Sequence, residues 1–129
     1  MPKVSDAKKR DAEATKKRIL TSAKKAFAKK GLGGARVDEI AENASANKRM
    51  IYHYFGNKEA LFLRTLEDAY LDIRLAEQKL ELDTLPPKDA LDKLVCFTWN
   101  YYIANPEFIT LVNSENLHKA RHLKQSKII

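Results

Sequence analysis

Eight consecutive residues, 48–55, carry the side chains best suited to recognise another molecule; they read Lys-Arg-Met-Ile-Tyr-His-Tyr-Phe. The guanidinium of Arg49 can donate two parallel hydrogen bonds to a guanine, and Met50 can make only apolar contact, for instance with a thymine methyl. Ile51 and Phe55 lie four residues apart, which predicts the core pair of a short helix. The side chains left on or beside its outer side are Lys48, Arg49, Met50, Tyr52 and His53.

Two preceding helices are predicted to position this segment. Residues 15–30 carry apolar residues at helical spacing, and Gly31 is placed to end that helix. Residues 37–44 predict a second, shorter helix, followed by a turn in which Asn47 can cap the third. Two short helices joined by such a turn form a helix-turn-helix, which can present a helix about 12 Å long to a major groove about 12 Å wide.

The C-terminal half is also predicted to be helical. Asn57 caps a fourth helix that extends to about residue 82, and further helices are predicted over residues 88–104 and 107–116. Residues 117–129 look helical too, although no stop signal follows them. Because no segment alternates apolar and polar residues as strands do, the fold class is predicted to be all-α.

Charge is distributed unevenly along the chain. Residues 1–31 contain eleven Lys/Arg and three Asp/Glu, a net charge of +8, whereas residues 32–58 carry +1 and residues 59–129 carry −2. A basic N-terminal half on a near-neutral remainder is typical of a protein that binds a polyanion, above all nucleic acid. The alternative is a solvated helix face that is merely rich in lysine.

Length and composition exclude several classes of protein. The 129 residues suffice for one domain-sized core, and the 44% hydrophobic and 32% charged residues are typical of a soluble folded chain. No apolar run reaches the roughly 18 residues of a membrane span, and no secretory signal is evident. Cys96 is the only cysteine, so no intramolecular disulfide can form, and a reducing, cytoplasmic location is expected. Its apolar neighbours predict that Cys96 is inert packing.

The residues of these helices resemble the DNA-binding domain of TetR-type bacterial transcriptional regulators. The resemblance rests on Val-Asp-Glu-Ile-Ala-Glu-Asn-Ala at 37–44 and on Ile-Tyr-His-Tyr-Phe-Gly-Asn-Lys-Glu-Ala-Leu at 51–61, and it covers about residues 15–66. Four positions depart from the family pattern, three of them in the turn: Ser45 replaces the turn glycine, Ala46 replaces a valine, and Asn47 replaces the capping serine. Arg36 stands where a capping threonine is usual; it cannot cap a helix, but it can pair with phosphate.

The resemblance implies a basic arm at 1–14, a helix-turn-helix domain at 15–61 and a partial helical regulatory domain at 62–129, antiparallel and concerned with ligand binding and dimerisation. The residues implied to face bases are Lys48, Arg49, Met50 and His53. The residues implied to hold phosphates are Arg36, Tyr52, Tyr54 and Lys58, with Asn47 capping the recognition helix. The alternative for either tyrosine is half-buried packing. The arm is expected either to touch the DNA backbone or minor groove, or to form a disordered tail.

The same resemblance implies a ligand-responsive repressor that binds a pseudo-palindromic operator as a homodimer, with an unidentified small-molecule effector. Family members are longer and dimerise through helices that this sequence lacks, so the chain is expected to be shortened, a fragment, or differently paired. A truncated chain would leave apolar surface on the fourth, fifth and sixth helices uncovered, which predicts self-association. The aromatic residues that could line an effector pocket, or simply form core, are Phe97, Trp99, Tyr101, Tyr102 and Phe108.

Other chemistry finds little support in the sequence. Glu115, His118 and His122 share one face of a helix and could ligate a metal, but a polar surface is the more economical interpretation, and we expect no metal or other cofactor. No nucleophile, phosphate loop or carboxylate pair suggests an enzyme. The remaining alternatives are a protein-interaction module with a basic face and a small-molecule-binding helical bundle.

Overall fold

The computed structural model describes residues 4–117 and 119–127, with side chains from residue 7 onwards. All regular structure in these ranges is helical, as predicted. The helices are α1 (Val4–Gly34), α2 (Val37–Asn43), α3 (Lys48–Phe55), α4 (Lys58–Gln78), α5 (Pro87–Ala104) and α6 (Pro106–Leu117), with 3₁₀ helices at Leu82–Thr84 and Leu123–Gln125. The chain divides into two compact units, residues 1–65 and residues 66–129.

Helix α1 is longer than the predicted 15–30. It begins at Val4, so the described part of the basic arm is helical rather than a disordered tail. Gly31, with φ 72° and ψ 175°, interrupts the helical run at the position where the sequence placed its end. A side chain is strained at a positive φ, which explains why glycine stands at this break.

The core of the first unit draws on all four of its helices. Phe27 of α1 meets Phe62 of α4 edge to face, with ring centroids 5.0 Å apart, and neither ring is exposed to solvent. The other apolar side chains buried in this unit are Ile19, Leu20, Ala23, Ala35, Val37, Ile40, Ala41, Ala44, Ile51 and Leu61. Helix α3 therefore stands on a core formed mainly by its neighbours.

The second unit packs α4, α5 and α6 around a smaller cluster, whose buried members are Ala69, Ile73, Tyr101 and Phe108. Within it the Tyr101 hydroxyl donates a 2.7 Å hydrogen bond to Oδ2 of Asp72. Burial and this carboxylate raise the pKa of Tyr101 well above its ordinary value. The hydroxyl therefore stays protonated through neutral pH and keeps the bond between α5 and α4.

The opposite face of α5 is apolar and exposed. Leu91, Val95, Trp99 and Ile103 recur every four residues, and each side chain is between 59% and 67% exposed. We call these four residues the α5 stripe. Cys96 beside it is also exposed, so the prediction that it forms inert packing was wrong. The spacing of apolar residues predicted the helix α5, but it could not show which of those residues other helices cover.

The predictions for the end of the chain were wrong in two respects. Residues 119–122 form turns and lead into the short 3₁₀ helix, so residues 117–129 are not a continuing helix. Glu115 and His122, predicted as polar surface, are buried and lie 3.0 Å apart from Oε1 to Nδ1. The other oxygen of Glu115 accepts a 2.7 Å hydrogen bond from the backbone N–H of Leu123. These two contacts hold the segment around His122 and Leu123 against α6.

Candidate nucleic-acid interface

Helix α3 begins at a side-chain cap. The Oδ1 atom of Asn47 accepts a 2.8 Å hydrogen bond from the backbone N–H of Met50, and Asn47 itself has an extended backbone. This bond satisfies one of the free N–H groups of the first turn and sets the residue at which the helix starts. The predicted cap is confirmed, and an equivalent bond from Ala60 to Asn57, 2.7 Å long, supports the start of α4.

The turn between α2 and α3 is tight and slightly strained. Ser45 takes a φ of 54°, a left-handed conformation that costs a side chain roughly 1 kcal/mol relative to glycine. The backbone N–H of Ala46 donates a 2.9 Å bond to the carbonyl of Ala41, which closes the end of α2. The turn therefore keeps its shape without the glycine, and hydrogen bonds across it offset the strain.

Polar contacts from α1 hold α2 in place. Nε of Arg18 donates a 3.1 Å bond to the carbonyl of Ala44, and the hydroxyl of Ser22 donates a 2.8 Å bond to the carbonyl of Ile40. Lys30 pairs with Glu39 at 2.7 Å, and its hydrogen bond and charge hold the pKa of Glu39 below the ordinary value. Sequence reasoning missed these positioning residues because their partners are distant in sequence.

The outer side of α3 faces solvent. Ile51 is fully buried and Phe55 half-buried, and these two side chains anchor the helix. The exposed side chains are Lys48, Arg49, Met50, Tyr52 and His53. All four residues implied to face bases thus lie on a short exposed helix whose inner side is packed.

Lys48 is engaged by an acidic residue that the sequence did not single out. Its Nζ lies 3.1 Å from Oδ1 of Asp38, and the other carboxylate oxygen lies 3.9 Å from Nη2 of Arg36. The hydrogen bond with Asp38 and the charge of Asp38 raise the pKa of Lys48. As expected, Arg36 precedes α2 without capping it. One carboxylate thus contacts both cations.

The residues implied to hold phosphates have different environments. Tyr52 is exposed, whereas Tyr54 is half-buried, and Nζ of Lys16 lies 5.3 Å from the centre of its ring. Lys58 is half-buried in the first turn of α4. Lys16 belongs to the part of α1 that precedes the core residues, so that part of the helix lies near α3.

The five aromatic residues proposed for an effector pocket do not share one environment. Phe97, Tyr101 and Phe108 pack in the core of the second unit, while Trp99 and Tyr102 are exposed. An open groove of about 920 Å³ lies instead in the first unit, between α1 and α2. The charged residues that line it are Lys17, Arg18, Lys25, Lys29, Lys30 and Glu39.

The described residues contain neither a cluster of metal-ligating side chains nor a helix suited to cross a membrane. Among the described side chains, no three His, Cys, Asp or Glu residues come together as a metal site; His118 lies outside the described residues. Across residues 4–117 and 119–127, none of the helices combines the length and the apolar composition that a bilayer crossing requires.

Family models match both parts of the chain. Residues 19–65 match the model of bacterial regulatory proteins of the tetR family, and residues 87–129 match a C-terminal domain of the tetracyclin repressor type. The first match contains α2, α3 and the core part of α1. The second contains the α5 stripe and the buried Glu115.

Two relatives of the chain are HTH-type transcriptional repressors. The chain is 46% identical over 116 residues to the HTH-type transcriptional repressor NicS of Pseudomonas putida, covering 90% of this chain and 55% of NicS. It is 40% identical over 108 residues to the repressor SCO4008 of Streptomyces coelicolor, covering 84% of this chain and 53% of SCO4008. A crystal structure of SCO4942 from the same organism superimposes with a TM-score of 0.69 at 32% identity, covering 86% of this chain and 58% of SCO4942. The chain thus spans about half the length of the curated relatives it matches.

Proposed function

Because this chain belongs to the TetR family of bacterial regulatory proteins, we propose that it is a DNA-binding transcriptional repressor whose reading element is α3. One observation carries the proposal: α3 is a capped, eight-residue helix, with Ile51 buried and its cationic side exposed. Such a helix is about 12 Å long and fits a major groove about 12 Å wide. The activity belongs to the cytoplasm, where bacterial DNA is.

The proposed contacts divide into two groups. Lys48, Arg49, Met50 and His53 face base edges, which carry sequence information. Phosphate contacts, which set register and most of the salt-dependent affinity, come from Arg36, Tyr52, Tyr54 and Lys58. Because α1 is helical from Val4, it would present its lysines to the DNA backbone from a rigid helix rather than from a flexible tail. The Tyr54 contact is limited to the exposed part of its half-buried side chain.

We further propose that the repressor acts as a homodimer on a pseudo-palindromic operator. Two copies related by a two-fold axis place their α3 helices at half-sites about 34–36 Å apart, or a multiple of that distance. A small-molecule effector would act by favouring a state in which the two reading helices no longer match that spacing. Of the aromatic side chains of the second unit, the exposed Tyr102 is the proposed effector contact, because Phe97, Tyr101 and Phe108 pack in the core.

Selection of duplexes from a randomised pool tests the DNA-binding proposal directly. We expect a pseudo-palindromic consensus, and affinity for it that falls steeply with salt, by about 0.9 in log–log slope for each phosphate contact. A basic interaction module would instead enrich no sequence. A small-molecule-binding bundle would retain no DNA at all.

Self-association through the α5 stripe is the expected route to the dimer. Trp99 is the only tryptophan in the sequence, so its emission should shift to the blue as protein concentration rises and the exposed indole is covered. Val95→Glu places a charge in the stripe and should weaken association about 10-fold or more. Asn100→Glu, also on α5 and exposed but outside the stripe, is the matched control.

Sedimentation equilibrium of the three proteins gives the association constants. A chain that stays monomeric at every concentration, or a Val95→Glu protein that associates like the control, would show that a second copy does not cover the stripe.

A further inference from the structure

Asp38 is an acidic residue within the surface proposed to contact DNA. It occupies the second position of α2, and its carboxylate lies between Lys48 Nζ at 3.1 Å and Arg36 Nη2 at 3.9 Å. All three side chains are more than half exposed, so the contacts can open when another anion approaches.

A carboxylate at this position opposes DNA binding in two ways. Its charge repels phosphates, and it pairs with Arg36, a proposed phosphate contact, and with Lys48, which could otherwise contact phosphates of random DNA. Asp38 also favours helix formation, because an acid in the first turn interacts well with the helix dipole. Glu39 in the same turn already supplies such an acid, and it pairs with Lys30 rather than with the cations of the interface.

Resting on the proposed function, we propose that Asp38 is a specificity-determining positioning residue that restrains Lys48 and Arg36. Binding to random DNA consists of phosphate contacts made by whichever cations can reach them. A lysine held by Asp38 must give up a hydrogen bond to join such contacts. On the operator, the pairing with Asp38 keeps the Lys48 side chain in the orientation that meets its base, so little operator affinity is lost. The carboxylate therefore lowers affinity for random DNA more than affinity for the operator.

Asp38→Asn tests this inference, because the change removes the charge and keeps the shape. We expect affinity for a random duplex to rise about 3- to 10-fold, the ratio of selected to random affinity to fall correspondingly, and the salt slope on random DNA to steepen by roughly 0.9 for each cation released. Glu42→Gln is the matched control: Glu42 is exposed on the same helix, and no ion pair engages it among the described residues. Its effect should stay below about 2-fold.

Two further measurements separate a positioning role from a merely structural one. In a Lys48→Gln background, Asp38→Asn should lose the larger part of its effect, because Lys48 is the more closely paired of the two restrained cations and Arg36 alone remains. Without DNA, the pKa of Lys48 followed by NMR should fall towards its ordinary value in Asp38→Asn and stay unchanged in Glu42→Gln.

The possible failures are distinct. Equal effects of Asp38→Asn and Glu42→Gln, or an unchanged affinity ratio, would overturn the role of Asp38 while leaving DNA binding intact. A wild-type chain that selects no sequence would overturn the proposed function and this inference with it. Matching far-UV circular dichroism and unfolding midpoints would show that each variant is folded.

Discussion

Replacing Arg49 with alanine is expected to lower affinity for the selected operator about 10- to 100-fold, equivalent to roughly 1–3 kcal/mol for the loss of one bidentate base contact. Arg49 is exposed near the start of α3, and no carboxylate pairs with it in the part of the chain that the structure describes. Its guanidinium is therefore available to DNA without displacing a partner. The measurement is a binding titration of operator and random duplexes at one fixed salt concentration.

Two controls identify the nature of the contact. Arg49→Lys keeps the charge but loses the planar fork, so it should lose selectivity at one base pair while largely retaining affinity for random DNA. Arg121→Ala removes an exposed arginine from the second unit and should leave operator binding unchanged. Equal losses on operator and random DNA in Arg49→Ala would mean that Arg49 contacts only phosphate.

Phe62→Ala is expected to destabilise the protein by about 3–5 kcal/mol, since it removes a large ring from a fully buried site. The loss includes the edge-to-face contact with Phe27 and leaves a cavity between α1 and α4. A typical domain has a free energy of unfolding of only about 5–15 kcal/mol, so a large fraction of the molecules should be unfolded at moderate temperature. Urea unfolding followed by far-UV circular dichroism measures the change.

Operator binding should fail together with the fold in this variant, although Phe62 lies on α4 rather than on the proposed interface. Phe62→Leu retains part of the volume and should lose less stability. Arg64→Ala, exposed on the same helix, should change the free energy of unfolding by less than about 0.5 kcal/mol. If Phe62→Ala unfolded at the same urea concentration as the wild type, the Phe62 ring would contribute little to the stability of the core.

The helices of the first unit could be predicted because their signals are local. Predicted helix α3 at 48–55 coincides with the observed one, since Asn47 marks its start and Gly56 follows its last residue. Asn47 and Asn57 were predicted to cap helices, and both side chains accept the expected backbone hydrogen bonds. Such caps depend on residues only three positions apart, so the order of amino acids alone determines them.

The candidate site was predictable only in part. The spacing of Ile51 and Phe55 predicted which side chains of α3 are exposed. The ion pair between Asp38 and Lys48 could not be predicted in this way. These two residues are ten positions apart and on different helices, so no periodicity relates them. Likewise, Arg18 and Ser22 reach α2 carbonyls that are brought near only by the packing of α1 against α2.

Local patterns in the amino-acid order are enough to predict that the chain is all-α, where helix α3 starts and ends, and which residues that helix exposes. Those properties arise from hydrogen bonds and apolar spacing within a few residues. Three features became apparent only from the folded chain: Glu115 and His122 are buried together, Cys96 is exposed beside the α5 stripe, and the carboxylate of Asp38 contacts two cations of the candidate interface. Burial and charge pairing depend on which helix faces which, and that choice belongs to the packing of the whole unit.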